Sequence, residues 1–269
     1  MTRHIAPALL SAFRLAARTI LFSALGVAVP TLASGPDELT RMLSGKVVLV
    51  GETHGSAGSL ELTSKLVTEA FRRHACVTLA LEIGHGQQLA LDAAMRGQGS
   101  MQDVGLYPAI GHPAYRSWLS GLPRSAAANP CFRVLAADLP TTQAGDRDRT
   151  IAAQIAQEVA AGRFVVGLFG ALHVSRGVAY RYSRHRSAAD YLARRGIAIV
   201  SVLESEPPIC GPGGLRQPGS TEALPAIENL RQTVNGLYPA NPARIVDAVW
   251  LGASTGCSIS AATSPGQLD

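Results

Sequence analysis

Two short motifs of one form stand out among the ionisable residues. Gly51-Glu52-Thr53-His54 and Gly170-Ala171-Leu172-His173 both read Gly-x-x-His, and each follows an apolar run. A third apolar run ends in Leu81-Glu82, with His85 three residues on, and a fourth ends in Asp138. Imidazoles change charge near neutral pH, so a histidine beside a carboxylate suits proton transfer. Two imidazoles and a carboxylate also suit a divalent metal. Each residue has a plainer use. A lone histidine after a strand commonly serves as a hydrogen-bonded loop residue, Glu82 could cap a helix, and Asp138 could stabilise its turn. The coincidence of these residues at the ends of successive runs is what points to a site.

They share one rim only if the runs are parallel strands. Six β-prone runs recur: Lys46–Gly51, Val77–Glu82, Phe132–Asp138, Phe164–Gly170, Ile197–Leu203 and Ile245–Leu251. Most are continuously apolar, as strands buried on both faces are. Helical patterns over Ser59–Ala75, Asp148–Ala161 and Ser187–Arg195 separate them. Gly162 and Gly196 stand where helices end. The alternation predicts an α/β fold, with a mostly parallel central sheet and helices on both faces. Ligands of such sheets sit beyond the carboxyl ends of the strands.

Two stretches interrupt the alternation. Residues 84–129 predict a helical cap insertion, with helices near Gln87–Met95 and Pro113–Ser120. It is expected to overlie the strand ends and set substrate choice. Residues 206–242 hold seven of the sixteen prolines and read as a loop excursion, with a helix near Ala226–Val234.

Composition narrows the class. The 269 residues are 47% apolar and 16% charged, too apolar for disorder. Residues 1–33 carry Arg3, Arg14 and Arg18 and no acid, then an apolar stretch from Thr19 to Val29 and small residues near Ala33. That is the form of a secretory signal peptide, too short for a membrane span. The expectation is an exported protein, periplasmic or secreted, with a single domain over residues 34–269 and no stable membrane insertion. Without residues 1–33 the net charge falls from +5 to +2. The densest basic cluster, Arg181, Arg184, Arg186, Arg194 and Arg195, reads as a solvated helix face, not a nucleic-acid patch. Cys76, Cys131, Cys210 and Cys257 include no CxxC pair, and an even count in an exported chain favours disulfides. Cys76 and Cys131 each precede a strand and would be neighbours in parallel strands. Pairing them leaves Cys210 with Cys257.

Gly51-Glu52-Thr53-His54-Gly55, Leu81-Glu82 and Phe169-Gly170-Ala171-Leu172-His173-Val174 together resemble the erythromycin esterase/ChaN-like superfamily, with its TraB/TIKI-type members. Val246-Asp247-Ala248-Val249-Trp250-Leu251-Gly252 is similar to that group's final strand, with Asp247 at its acidic position. The resemblance covers roughly residues 44–204 and 243–265. It implies one of three activities, since the group contains ester hydrolases, metal-dependent proteases and haem-binding iron-uptake proteins.

For hydrolysis of an ester, lactone or amide in a small molecule or peptide, His54 would be the general base and Glu52 or Glu82 its orienting carboxylate. His173 would polarise the carbonyl or protonate the leaving group. Arg176 would stabilise an oxyanion or clamp a substrate carboxylate, or else pair with Asp138 or Glu204. Thr53 and Ser56 could add hydrogen bonds. No GxSxG elbow is present, which disfavours a serine route. For a metal centre, His54, His173 and a carboxylate from Glu52 or Glu82 would hold a divalent ion with one position open for water. For haem binding, His85, Tyr107, His112 and Tyr115 in the insertion, or Tyr180, Tyr182 and His185, would be the axial ligands.

Overall fold

The computed structural model describes residues 36–140, 143–177, 185–205, 213–233 and 241–252. Among these, seven strands form one sheet in the order β3-β2-β4-β1-β5-β7-β6. They are β1 (Val47–Glu52), β2 (Val77–Gly84), β3 (Phe132–Asp138), β4 (Phe164–Gly170), β5 (Ile199–Ser205), β6 (Gly214–Arg216) and β7 (Ala248–Leu251). All neighbours run parallel except β6, which is antiparallel to β7.

The continuous apolar runs follow from burial on both faces. Every residue of β1, β2 and β4 is buried. Val48 and Val50 point into one core with α2 (Gly58–Arg73), α3 (Gln88–Met95) and α4 (Pro113–Ala128). Val47 and Leu49 point into the opposite core with α5 (Arg147–Ala160) and α7 (Ala188–Arg194). The short helices α1 (Pro36–Met42) and α6 (Ala171–Val174) and the helix α8 (Leu224–Thr233) complete the described set.

The insertion packs on the α2 face. Trp118 Nε1 donates to Ser64 Oγ at 2.8 Å. Gln88 covers the open edge of β3, donating to the Val134 carbonyl at 3.0 Å and accepting from the Ala136 amide at 2.8 Å. A side chain thus satisfies an edge that would otherwise invite a further strand.

The parallel register pairs Val77 with Phe132, which brings the preceding Cys76 and Cys131 together as a disulfide. Cys210 and Cys257, and the leader read over residues 1–33, lie outside the described residues. So do Arg181 and Arg184 of the basic cluster.

Three elements depart from the sequence reading. α4 continues to Ala128, past the expected end at Ser120, because Leu119 and Leu122 bury against the core. The last strand starts at Ala248 rather than Ile245. Asn241 caps a tight turn, and the Ile245 amide bonds the Pro242 carbonyl at 2.9 Å, so the backbone there is not extended. The excursion contributes β6, whose three residues are too few to show a period.

Candidate active site

Strand parity decides where each acid points. Glu52 continues the series Val48, Val50 and faces the α2 layer. Glu82 follows Ala80 onto the opposite face, towards α5. The end of β4 lies between them, because Gly170 pairs with Glu52. Gly170 has no side chain to fill the gap. A Cβ there would stand 3.3 Å from His54 Nε2 and 3.4 Å from Glu82 Oε2. His54 reaches this gap over a turn that Gly55 permits with φ 101°.

His54 Nδ1 lies 2.9 Å from Glu52 Oε1. This hydrogen bond raises the imidazole pKa above its ordinary value, burial opposes it, and the Glu82 charge adds to the rise. With Nδ1 carrying the proton toward Glu52, Nε2 keeps its lone pair on the Gly170 side. His54 is about one-third exposed, whereas the Glu52 carboxylate is buried.

His173 is held differently. It is buried, with Nδ1 2.9 Å from Asp148 Oδ1 and Nε2 3.6 Å from Glu82 Oε1. Burial alone would depress its pKa. The Asp148 and Glu82 carboxylates outweigh burial and push it up to about 10, which favours the imidazolium. Burial would raise Glu82, but His173, the Gly170 amide and Arg147 hold it at about 2. Arg147 bridges Glu82, at 2.9 Å, to Asp138.

A cleft of about 630 Å³ opens over this group. Its lining includes the ionic groups Glu52, His54, Glu82, Arg147 and His173, and the apolar residues Leu172, Leu203, Ala226 and Leu230. Ala226, Asn229 and Leu230 belong to α8. No residue of 84–129 lines this cleft, so the wall expected from the insertion comes from the proline-rich excursion.

The structure therefore brings Glu52, His54, Glu82 and His173 together at one rim. It does not bring Arg176 there. Its backbone amide docks on the Ile245 carbonyl at 2.9 Å, and its guanidinium pairs with Asp247 at 2.9 Å, not with Asp138 or Glu204. Arg147 occupies the place foreseen for it. Sequence reading missed Arg147 and Asp148. Their only signal was position, in the first turn of the helix that follows β3. Glu204 also lines the cleft, but its carboxylate serves the start of α2. It accepts from the Ser59 amide at 2.9 Å and from the Ser56 hydroxyl. Burial raises its pKa.

A metal centre of His54, His173 and Glu82 is not assembled. Among the described residues no group of three or more His, Cys, Asp or Glu is arranged to hold a metal ion. The reason is chemical. Glu82 already accepts from Arg147 and the Gly170 amide, and His173 is engaged by Asp148 and Glu82.

None of the described haem-ligand candidates lines this cleft. His85 Nδ1 bonds the Asp138 carbonyl at 3.1 Å, and the Tyr107 hydroxyl donates to the Leu139 carbonyl. Tyr115 is buried in the core, His112 Nδ1 accepts from the Tyr115 amide, and His185 faces Asp146 at 3.6 Å. Tyr180 and Tyr182 lie outside the described residues.

No protein-family model matches the sequence, and no curated protein matches it. Solved structures do match. One is ChaN of Campylobacter jejuni, described with cofacial haem binding, at 13% identity and TM-score 0.52, covering 81% of this chain and 91% of that one. Another is a mutant erythromycin esterase, EreC, in its open conformation, at 10% identity and TM-score 0.56, covering 80% and 92%. A third is the type III effector HopBA1, at 11% identity and TM-score 0.52, covering 80% and 91%. Such identities speak for architecture alone. The seven-stranded sheet and its helices have an erythromycin esterase/ChaN-like fold.

Proposed function

We propose that this protein hydrolyses an ester or amide bond by general acid–base activation of water, with His54 as the base. The observation that carries this reading is the 2.9 Å contact between His54 Nδ1 and Glu52 Oε1 at the rim of the cleft. Glu52 fixes the tautomer and stabilises the imidazolium that forms, as an orienting carboxylate does for a catalytic histidine.

Water gives a proton to His54 Nε2 as its oxygen bonds the carbonyl carbon. The carbonyl oxygen takes up negative charge. That charge collapses, the bond to the leaving group breaks, and His54 returns the proton to the departing oxygen or nitrogen. Arg147 and the cationic His173 supply fixed positive charge beside the reacting centre. Because His173 is already protonated and buried, its part is electrostatic. Glu82 anchors both cations through its contacts to Arg147 and His173.

Export is part of this proposal. It is supported by the leader-like residues 1–33 and by the Cys76–Cys131 disulfide, a bond that persists in oxidising compartments. Among the described residues no helix is long and apolar enough to cross a membrane.

The test is a panel of chromogenic esters and peptides on the purified protein, with and without exhaustive chelation. Turnover that survives chelation and is lost in His54→Ala supports the reading; turnover that needs an added metal contradicts it. The likeness to ChaN brings haem binding as the second reading. Haemin titration tests it, since a Soret shift at micromolar protein supports haem binding and an unchanged spectrum dismisses it.

A further inference from the structure

The lining of the cleft holds two kinds of group. The ionic ones gather around His54, and Leu203, Ala226 and Leu230 belong to one buried apolar cluster against which Leu172 packs, with Asn229 of α8 beside them. We infer that the cleft takes an uncharged ester whose acyl group is an apolar chain of several carbons, laid along α8 with its carbonyl at His54. This inference rests on the hydrolytic reading.

The apolar wall begins beside the chemistry. Leu172 directly precedes His173, and Ala171 directly follows Gly170, so an acyl chain leaving the reacting carbon meets the cluster at once. Each methylene buried there leaves water, which is favourable in proportion to the area covered. A cleft of about 630 Å³ is of the size that holds small ligands.

The described carboxylates disfavour an anionic chain away from the reacting carbonyl. Glu52, Glu82 and Glu204 line the cleft. Of the fixed cations, Arg147 is paired with Glu82 and Asp138, and His173 with Asp148 and Glu82. Carboxylates therefore outnumber fixed cations around the site. Among the described residues, a negatively charged acyl group would meet the Glu52, Glu82 and Glu204 carboxylates, and such a mismatch discriminates against a ligand.

The experiment compares kcat/KM for 4-nitrophenyl acetate, butanoate, hexanoate and octanoate on the full chain, with the 4-nitrophenyl monoester of succinate as the anionic counterpart of butanoate. We expect a rise of about two- to fourfold per added methylene, and succinate at least roughly tenfold below butanoate. Leu230→Ala should cut the octanoate-to-acetate ratio about tenfold, and Leu230→Met should keep it. A flat or falling series, or succinate equal to butanoate, overturns the inference and leaves hydrolysis standing, because acetate is still turned over. Turnover of none of these esters overturns both.

Discussion

His173 Nδ1 stands 2.9 Å from Asp148 Oδ1, so a histidine at the rim is anchored from behind by a carboxylate on the next helix. The same oxygen accepts from the Ala188 amide at 2.7 Å, which ties the imidazole to the start of α7. Replacing Asp148 with Asn leaves a buried cation short of its counter-charge. We expect Asp148→Asn to cost about 3–5 kcal/mol in urea denaturation.

The same pair sets a pH dependence of stability. The folded pKa of His173 is raised from 6.5 to about 10, so its contribution is fully present below about pH 6.5 and lost as pH rises through about 10. Urea midpoints should fall between pH 7 and 10, and this part of the fall should be absent in His173→Gln.

Gly170 is the hinge of the site's geometry. An added Cβ would press on the His54 ring at 3.3 Å, closer than ordinary contact, and would touch Glu82 at 3.4 Å. Gly170→Ala should fold and lose hydrolysis by at least about tenfold, since small misplacements of a catalytic base are costly. Circular dichroism and ester turnover measured together check both halves.

Activity should carry the signature of the Glu52–His54 bond. Glu52 raises the His54 pKa, and the base is the neutral imidazole, so kcat/KM should climb with pH through a value above 6.5. Glu52→Gln removes the charge that favours imidazolium. The acid limb of the profile should then move to lower pH while the plateau falls.

The Cys76–Cys131 disulfide closes a span of 55 residues that contains β2, α3 and α4. By loop-closure entropy it stabilises the fold by about 4 kcal/mol. Cys76→Ser/Cys131→Ser should lower the melting temperature while leaving the His54–Glu52 contact in place, and scanning calorimetry measures the drop.

The strands were legible because burial on both faces forces apolar runs, and the reactive residues at their ends then fall at one rim. Val77 pairing with Phe132 is why the position of Cys76 and Cys131 before those runs sufficed to join them. Parity was harder to read. Glu52 ends β1 and Glu82 lies two residues before the end of β2, yet they face opposite layers, and only the sheet order with β4 between them shows that Gly170 joins the two. Arg147 and Asp148 were hidden because a charged first turn reads as ordinary helix chemistry. Arg176 was misplaced because distance along the chain from His173 does not say which way α6 leaves the rim. The cleft wall was misassigned for a related reason. Residues 84–129 carry more helix, but their apolar faces are spent on the α2 core, whereas α8 brings Ala226 and Leu230 to the cleft.

The most direct test of the account is ester hydrolysis by His54→Ala beside the unaltered protein. His54 is about one-third exposed, and its loss leaves the buried Glu52 carboxylate without this partner, so folding is checked beside activity. The variant should lose about 10²- to 10⁴-fold in kcat and keep the native circular dichroism spectrum. A folded His54→Ala protein that hydrolyses its best ester at the unaltered rate would contradict it.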